Sequence, residues 1–444
     1  MPATTRDPAP RITKFTNCRL PRGNQLVEQD LWIDSRSGRI LKDQEAFYEF
    51  QLSPDQVVDL GGRILAPGLI DVQLNGAYGF DFSVPQSTPE EYEKGLHEVN
   101  RELVRTGVTS YLPTVVSSNP EVYWKVLPSL GPSGDHRRAE DGAESLGAHV
   151  EGPFISPGRN GVHKVEVLRA AHTFQDIIDC YGADNIPPRS EQTYGAITPP
   201  PAATSPIKMI TAAPEVGDMM SNIREIVSRG IIYSIGHSDA TYEQGLAALD
   251  EGATMVTHLF NAMRPFYHRN PGIFGLLGQS EYETEQHSRP YYGVIADGIH
   301  LHPTSIKIAF NAHRSGLILV TDAMKLCGLP DGVYEWTNGE RIVKRGARLT
   351  LEGSDKIAGS SATLIECVNN FRRWAGATTA EAIRAVTEIP ARMLGLDGVK
   401  GSLDSGADAD LVVLGETDDP DAGPILTVDQ VWKFGVKVYD AEKE

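Results

Sequence analysis

Six stretches of the chain end an apolar run on residue types that bind metals or move protons. They are Asp71-Val72-Gln73-Leu74-Asn75, His149-Val150-Glu151-Gly152-Pro153, Gly236-His237-Ser238-Asp239, Thr257-His258, Asp297-Gly298-Ile299-His300 and Thr321-Asp322-Ala323. Glu151, His237 and His258 offer one carboxylate and two imidazoles. Three protein ligands with a fourth position left for water is the form of a catalytic zinc site. Asp322 is a carboxylate of the kind that takes a proton from water and returns it to a leaving nitrogen. Taken singly, each of these is equally a buried polar residue satisfied by its neighbours, and Asp322 a carboxylate that orients a ligand imidazole. Their recurrence at the ends of apolar runs favours a site. The loop after His258 adds Asn261, Arg264, His268 and Arg269 before it breaks at Pro271-Gly272. Such a donor-rich loop can hold a substrate.

These residues need a frame that brings distant strand ends together. Eight apolar, strand-like runs follow one another at 64–75, 108–116, 145–154, 207–215, 231–239, 253–261, 291–300 and 317–324. Helical patterns lie between most of them, at 89–105, 120–130, 165–181, 216–228, 242–251 and 303–315. Near-continuous apolar strands alternating with helices predict a parallel sheet, and eight of them an α/β fold closed as a (β/α)8 TIM barrel. An open, doubly wound sheet is the alternative, but no G-x-G-x-x-G follows an early strand. In such a barrel the active site lies at the C-terminal ends of the strands, where the polar residues above fall.

Outside the barrel pattern, residues 12–15, 25–33, 39–40 and 56–60 read as short strands, with a turn at Ser37-Gly38. Strands also close the chain, from Gly401 to Tyr439. We expect both termini to build one small β-sandwich domain, dividing the chain into 1–64, 65–400 and 401–444. Residues 334–351 alternate like a hairpin turning at Asn338-Gly339, and helices are expected at 361–375 and 379–394. The polar segment 131–144 and the proline-rich segment 185–206 read as surface insertions, open to movement.

The chain has 444 residues, of which 40% are apolar, enough for a real core. Its formal net charge of -18 argues against nucleic acid or an anionic membrane as partner. A small anion held by a local pair of cations remains compatible with it. The four cysteines, Cys18, Cys180, Cys327 and Cys367, form no C-x-x-C pair, so neither a thiolate metal site nor a disulfide framework is expected. The first eleven residues have no apolar leader, and no apolar run of ~18 residues occurs. A soluble, cytoplasmic protein is the expectation.

Taken together, the motifs P-G-L-I-D-V-Q-L-N-G (67–76), H-V-E-G-P-F (149–154), G-H-S-D-A (236–240), T-H-L-F-N-A-M (257–263), A-D-G-I-H (296–300) and V-T-D-A-M (320–324) resemble the amidohydrolase superfamily. Within it they resemble the deacetylases of phosphorylated amino sugars. The resemblance implies a hydrolase acting on N-acetylglucosamine 6-phosphate, with Glu151, His237 and His258 on the metal and Asp322 as acid and base. It implies that His163 contacts the sugar or polarises the acetamide carbonyl. Asn261, the Ala262 backbone, His268 and Arg269 would bind the phosphate, with His300 on the sugar hydroxyls. A homodimer is implied, because the phosphate-binding arginine of this family can reach a neighbouring subunit's site. The two insertions exceed the compact bacterial pattern and point to a eukaryotic form. Many superfamily members carry His-x-His on the first strand and bind two metals. Here those positions are Gln73 and Asn75, and an amide is a poor ligand beside imidazole. One divalent ion per chain is expected, zinc first, with Fe, Co or Mn as alternatives. The rival expectations are an amidohydrolase acting on a cyclic amide or another N-acyl sugar, and a non-catalytic scaffold.

Overall fold

The computed structural model describes residues 11–42, 53–188, 205–278, 289–336, 339–420 and 423–443. Residues 1–10, most of the expected insertion at 185–206, and Asn338 of the expected hairpin turn lie outside the described residues.

Among the described residues, eight parallel strands form the barrel wall: Leu69–Leu74, Val108–Val116, Ala148–Glu151, Ile207–Ala212, Ile232–Ile235, Met255–Val256, Tyr291–Ile295 and Leu317–Val320. Each pairs with the next in parallel register, for example Ile210 opposite Tyr233 and Val294 opposite Leu319. Both faces of these strands are covered, which is why apolar residues dominate their sequences. The helices between them bury one stripe each. In Pro89–Leu103 the buried residues are Tyr92, Leu96, Val99 and Leu103, one helical face. Thr88 caps that helix by accepting from Glu91 N at 3.2 Å.

The first and last barrel strands meet directly only near their C-terminal ends. There Asp322 N donates to Gln73 O and Asn75 N to Ala323 O, both at 2.9 Å. Lower down, a turn wedges between them: Ile70 N donates to Val386 O at 2.8 Å and Leu319 N to Ala385 O at 3.0 Å. This wedge breaks the helix expected over 379–394 into Thr379–Arg384 and Glu388–Met393. Pro390 is the cause. It has no N–H to offer the Val386 carbonyl, and its ring excludes a regular helical turn there. That carbonyl is left free for the barrel strand.

The run expected as one strand at 64–75 is two. Ile64–Pro67 pairs antiparallel with Leu411–Leu414, and Leu69–Leu74 joins the barrel. Gly68 sits at the handover, where a Cβ would stand 2.1 Å from Thr109 Oγ1, so a larger residue cannot pass. Likewise 25–33 is two strands, Gln25–Glu28 and Leu31–Asp34, in different sheets. One sheet has six strands and contains Arg19–Arg22, Ile64–Pro67, Leu411–Asp419 and Gly423–Lys433; the other has four and contains Ile12–Thr16 and Leu31–Asp34. Phe15, Ile33 and Ile40 of the second pack on Leu20, Leu65, Val413 and Trp432 of the first. The TIM barrel thus carries a small β-sandwich built from both ends of the chain.

Three further expectations are corrected. The helix expected at 165–181 is confined to Phe174–Tyr181, because Thr173 and Asp176 form a capping box that starts it there. Residues 332–360 form four antiparallel strands instead of one hairpin. Segment 131–144 lies largely on the surface, as expected, but it is anchored and not loose. Arg137 pairs with Asp408 at 2.7 Å, Ala143 N donates to Asn100 O at 2.8 Å, and Glu144 is buried.

Glu144 belongs to a buried charge network that ties the base of the barrel to the terminal sheets. Lys433 Nζ lies 2.6 Å from Glu144 Oε1 and 2.8 Å from Asp410 Oδ2, and donates to Thr109 O at 3.0 Å. Lys400 pairs with Glu144, and with Asp408 and Asp410 at 2.8 and 2.6 Å. Glu144, Asp408 and Asp410 are close enough together to hold a cation, and the two ammonium groups fill that role.

Candidate active site

Glu151 ends the third barrel strand. His237, His258 and Asp322 follow the fifth, sixth and eighth strands. Glu151, His237 and His258 are buried, and Asp322 is half-buried. His237, His258 and Asp322 have φ of 47°, 26° and 48°, in the left-handed region that side-chain-bearing residues avoid. Each strand therefore turns sharply as it leaves the barrel and points its side chain across the mouth. Such strained positions persist where the surrounding structure over-determines them, commonly at functional sites.

Three ligand atoms converge. His258 Nε2 lies 3.0 Å from Glu151 Oε1, His237 Nε2 3.4 Å from the same oxygen, and the two Nε2 atoms are 3.0 Å apart. His237 Nδ1 is 2.8 Å from Arg159 O. A carbonyl oxygen only accepts, so Nδ1 carries the proton and Nε2 presents its lone pair to the cluster. A carboxylate oxygen and imidazole lone pairs packed this closely repel one another unless positive charge lies between them. The donor set, its burial and its convergence fit a divalent cation of the zinc class.

Asp322 stands beside this cluster. Asn75 Nδ2 donates to Asp322 Oδ1 at 2.7 Å and Gln73 Nε2 lies 3.3 Å from the same oxygen. Burial, then repulsion from Glu151, raises the Asp322 carboxyl to about 6, suited to taking and giving a proton near neutrality. Asp71 lies deeper on the first strand, where Thr321 Oγ1 donates to its Oδ2 at 2.6 Å. That bond holds the strand carrying Asp322 against the strand carrying Gln73.

The remaining expected site residues divide into two groups. His163 is buried and its Nε2 is 3.6 Å from Glu151 Oε2, so it joins the cluster and stands close enough to count among its ligand groups. Ser117, which follows the second strand, fixes it, with Oγ 2.7 Å from His163 Nδ1. His300 is half-buried, its Nδ1 2.7 Å from Asp297 Oδ2. Burial opposes its charge, but Asp297 outweighs burial and raises its pKa. Asn261 Nδ2 donates to His258 O at 3.2 Å, and Ala262 has a left-handed φ of 47°. His268 and Arg269 are exposed, and among the described residues neither makes a hydrogen bond or ion pair to the cluster.

Ser117, Arg159 and Glu215 were not singled out from the sequence, and Asp239 and Arg264 were noted there without an orienting role. Asp239 and Arg264 stand within or beside motifs already noted. Ser117, Arg159 and Glu215 carry no local signal, because their partners are distant in sequence.

A model of the Amidohydrolase family matches residues 64–436. The chain is 40% identical over 435 residues to N-acetylglucosamine-6-phosphate deacetylase of Danio rerio, covering 96% of this chain and 97% of that protein. It is 42% identical over 413 residues to the Homo sapiens protein of the same name, covering 92% of each. Among solved structures, N-acetylglucosamine-6-phosphate deacetylase from Pasteurella multocida is similar with a TM-score of 0.75 at 26% identity, covering 96% of this chain and 99% of that one.

Proposed function

The chain belongs to the amidohydrolase family, and within it we propose that it hydrolyses the acetamide of N-acetylglucosamine 6-phosphate, releasing glucosamine 6-phosphate and acetate in amino-sugar catabolism. The observation that carries this is the convergence of Glu151, His237 and His258 at the barrel mouth, with a carboxyl at about 6 beside them on Asp322.

Glu151, His237 and His258 would hold one divalent ion, zinc first, with Fe, Co or Mn as the alternatives that such donors accept. When bound, it supplies a Lewis acid and makes water nucleophilic at neutral pH. Asp322 accepts the proton of the attacking water and delivers it to the departing amine. His163 lies on the cluster's edge and donates from Nε2 to the acetamide oxygen as negative charge develops there. Gln73 and Asn75 keep the Asp322 carboxylate aimed into the site. His300, oriented by Asp297, binds sugar hydroxyls. Asn261, the Ala262 backbone, His268 and Arg269 receive the phosphate.

His268 and Arg269 sit on a loop that exposes Phe266 and Tyr267, at 60% and 55% of their surface. Two neighbouring exposed aromatics beside an anion-binding pair suit contact with a second copy of the chain, and a homodimer is the proposed assembly. The cysteines are free and buried, as suits a cytoplasmic protein, and among the described residues no helix is long and apolar enough to cross a membrane.

The test is acetate release by the purified, metal-analysed protein from the 6-phosphate and from free N-acetylglucosamine. Strong preference for the phosphate ester is expected. Equal turnover of both would replace this substrate with another N-acyl sugar, and no acetate from either would remove the activity.

A further inference from the structure

The loops that leave the third, fifth and sixth barrel strands carry Arg159, Asp239 and Arg264. The same three strands carry Glu151, His237 and His258. Asp239 bridges the two arginines. Arg159 Nε and Nη2 reach Asp239 Oδ1 at 2.9 and 2.7 Å, and Arg264 Nη2 reaches Oδ2 at 3.1 Å while its Nε donates to Asp239 O at 2.8 Å. The main-chain oxygen of Arg159 is the atom that accepts from His237 Nδ1.

We propose that Asp239 is a positioning residue for the metal site: by clamping Arg159 and Arg264 it fixes the carbonyl that orients His237 and locks the three ligand-bearing loops in one register. The inference rests on the metal site proposed above and extends it to a residue that touches neither metal nor substrate.

The surrounding bonds point the same way. Ser156 N donates to His237 O at 2.9 Å, joining the third-strand loop to the fifth. Ser238 N donates to Ala262 O and Arg264 N to Ser238 O, both at 3.2 Å, joining the fifth to the sixth. Glu215, beyond the fourth strand, accepts from Ser238 Oγ at 2.7 Å and from Asp239 N at 2.6 Å. The fifth-strand loop is therefore held from both sides, and the Asp239 side chain grips both neighbours. Its own side chain is 42% exposed, and those of Arg159 and Arg264 31% and 35%. Ion pairs this open contribute little to global stability. Their effect should fall on the geometry of the ligands, where loss of an orienting partner typically weakens metal binding 10–100-fold.

The experiment compares the full-length parent with Asp239→Ala and Asp239→Asn. Zinc affinity is measured by competition with a chromophoric chelator, and thermal melting is followed on zinc-loaded and zinc-stripped protein. Arg341→Ala, which removes an exposed ion pair to Glu352 elsewhere on the surface, is the control. Both Asp239 variants should bind zinc at least about tenfold more weakly. The stripped proteins should melt within about 2 °C of the parent, and the control should match the parent in both respects. Zinc affinity within twofold of the parent in Asp239→Ala would overturn the proposal. So would a stripped protein that melts far below the parent, since Asp239 would then be a general structural residue. A parent that binds no zinc would overturn the metal site and this inference with it.

Discussion

The side-chain amide of Gln73 donates to Glu151 Oε1 across 2.9 Å and lies 3.3 Å from Asp322 Oδ1. One amide thus spans the carboxylate proposed to bind the metal and the carboxylate proposed to move the proton. Gln73 and Asn75 stand where many family members carry two histidines, both amides are directed to Asp322, and an amide is a poor ligand beside imidazole. One divalent ion per chain is therefore expected after extensive dialysis, counted by elemental analysis. Two retained equivalents, both needed for turnover, would contradict it.

Asp322→Asn should leave the fold and the bound metal intact while kcat falls by on the order of 10² or more. Turnover within a few-fold of the parent would assign the proton transfer elsewhere.

The same carboxyl sets an expected pH profile. Its value is raised to about 6 by burial and by Glu151. It must be ionised to accept a proton, so kcat/KM should fall as pH drops through about 6. A bound cation nearby favours the ionised form and moves this limb lower, never higher. Initial rates from pH 4.5 to 8 would reveal it. A limb well above pH 7 would belong to another group.

Arg269→Ala should raise KM for the 6-phosphate by at least ~10-fold, equivalent to ~1.4 kcal/mol, and change little for unphosphorylated N-acetylglucosamine. A guanidinium fork suits phosphate oxygens, and the protein around it is acidic. Equal losses on both substrates would make the role structural.

The buried network at the barrel base gives an acid-side prediction. Burial opposes the charge on Glu144 and Asp410, but Lys433 and Lys400 outweigh it and lower both pKa values below the usual carboxylate range. Carboxyls lowered in the folded state contribute stability above their ordinary pKa, and that contribution is lost as pH falls below about 4. Asp410→Asn leaves Lys433 and Lys400 short of counter-charge and should cost about 3–5 kcal/mol at pH 7. Melting temperatures between pH 3 and 7 would test both points. A variant as stable as its parent would mean that the network is dispensable.

Much of the site was legible in the chain because it is written in strand ends. An apolar run followed by Glu, His or Asp states both a barrel strand and the residue at its mouth. Glu151, His237, His258 and Asp322 could be named that way, with the eight-strand barrel that unites them. The motifs surrounding them carried the family.

Tertiary structure decided what depends on partners far apart in sequence. Pro390 made a free carbonyl at Val386, but only the fold shows that Ile70 N uses it to seal the barrel. Segment 131–144 reads as polar loop, yet it is held down by Asp408, which lies hundreds of residues away. Ser117 on His163, and Asp239 between Arg159 and Arg264, have no pattern of their own, because a hydrogen bond is fixed by direction and distance in space. The linear order of residues encodes the periodicity that builds strands and the chemistry at their ends. Which side chains then orient those ends is set only when the loops meet.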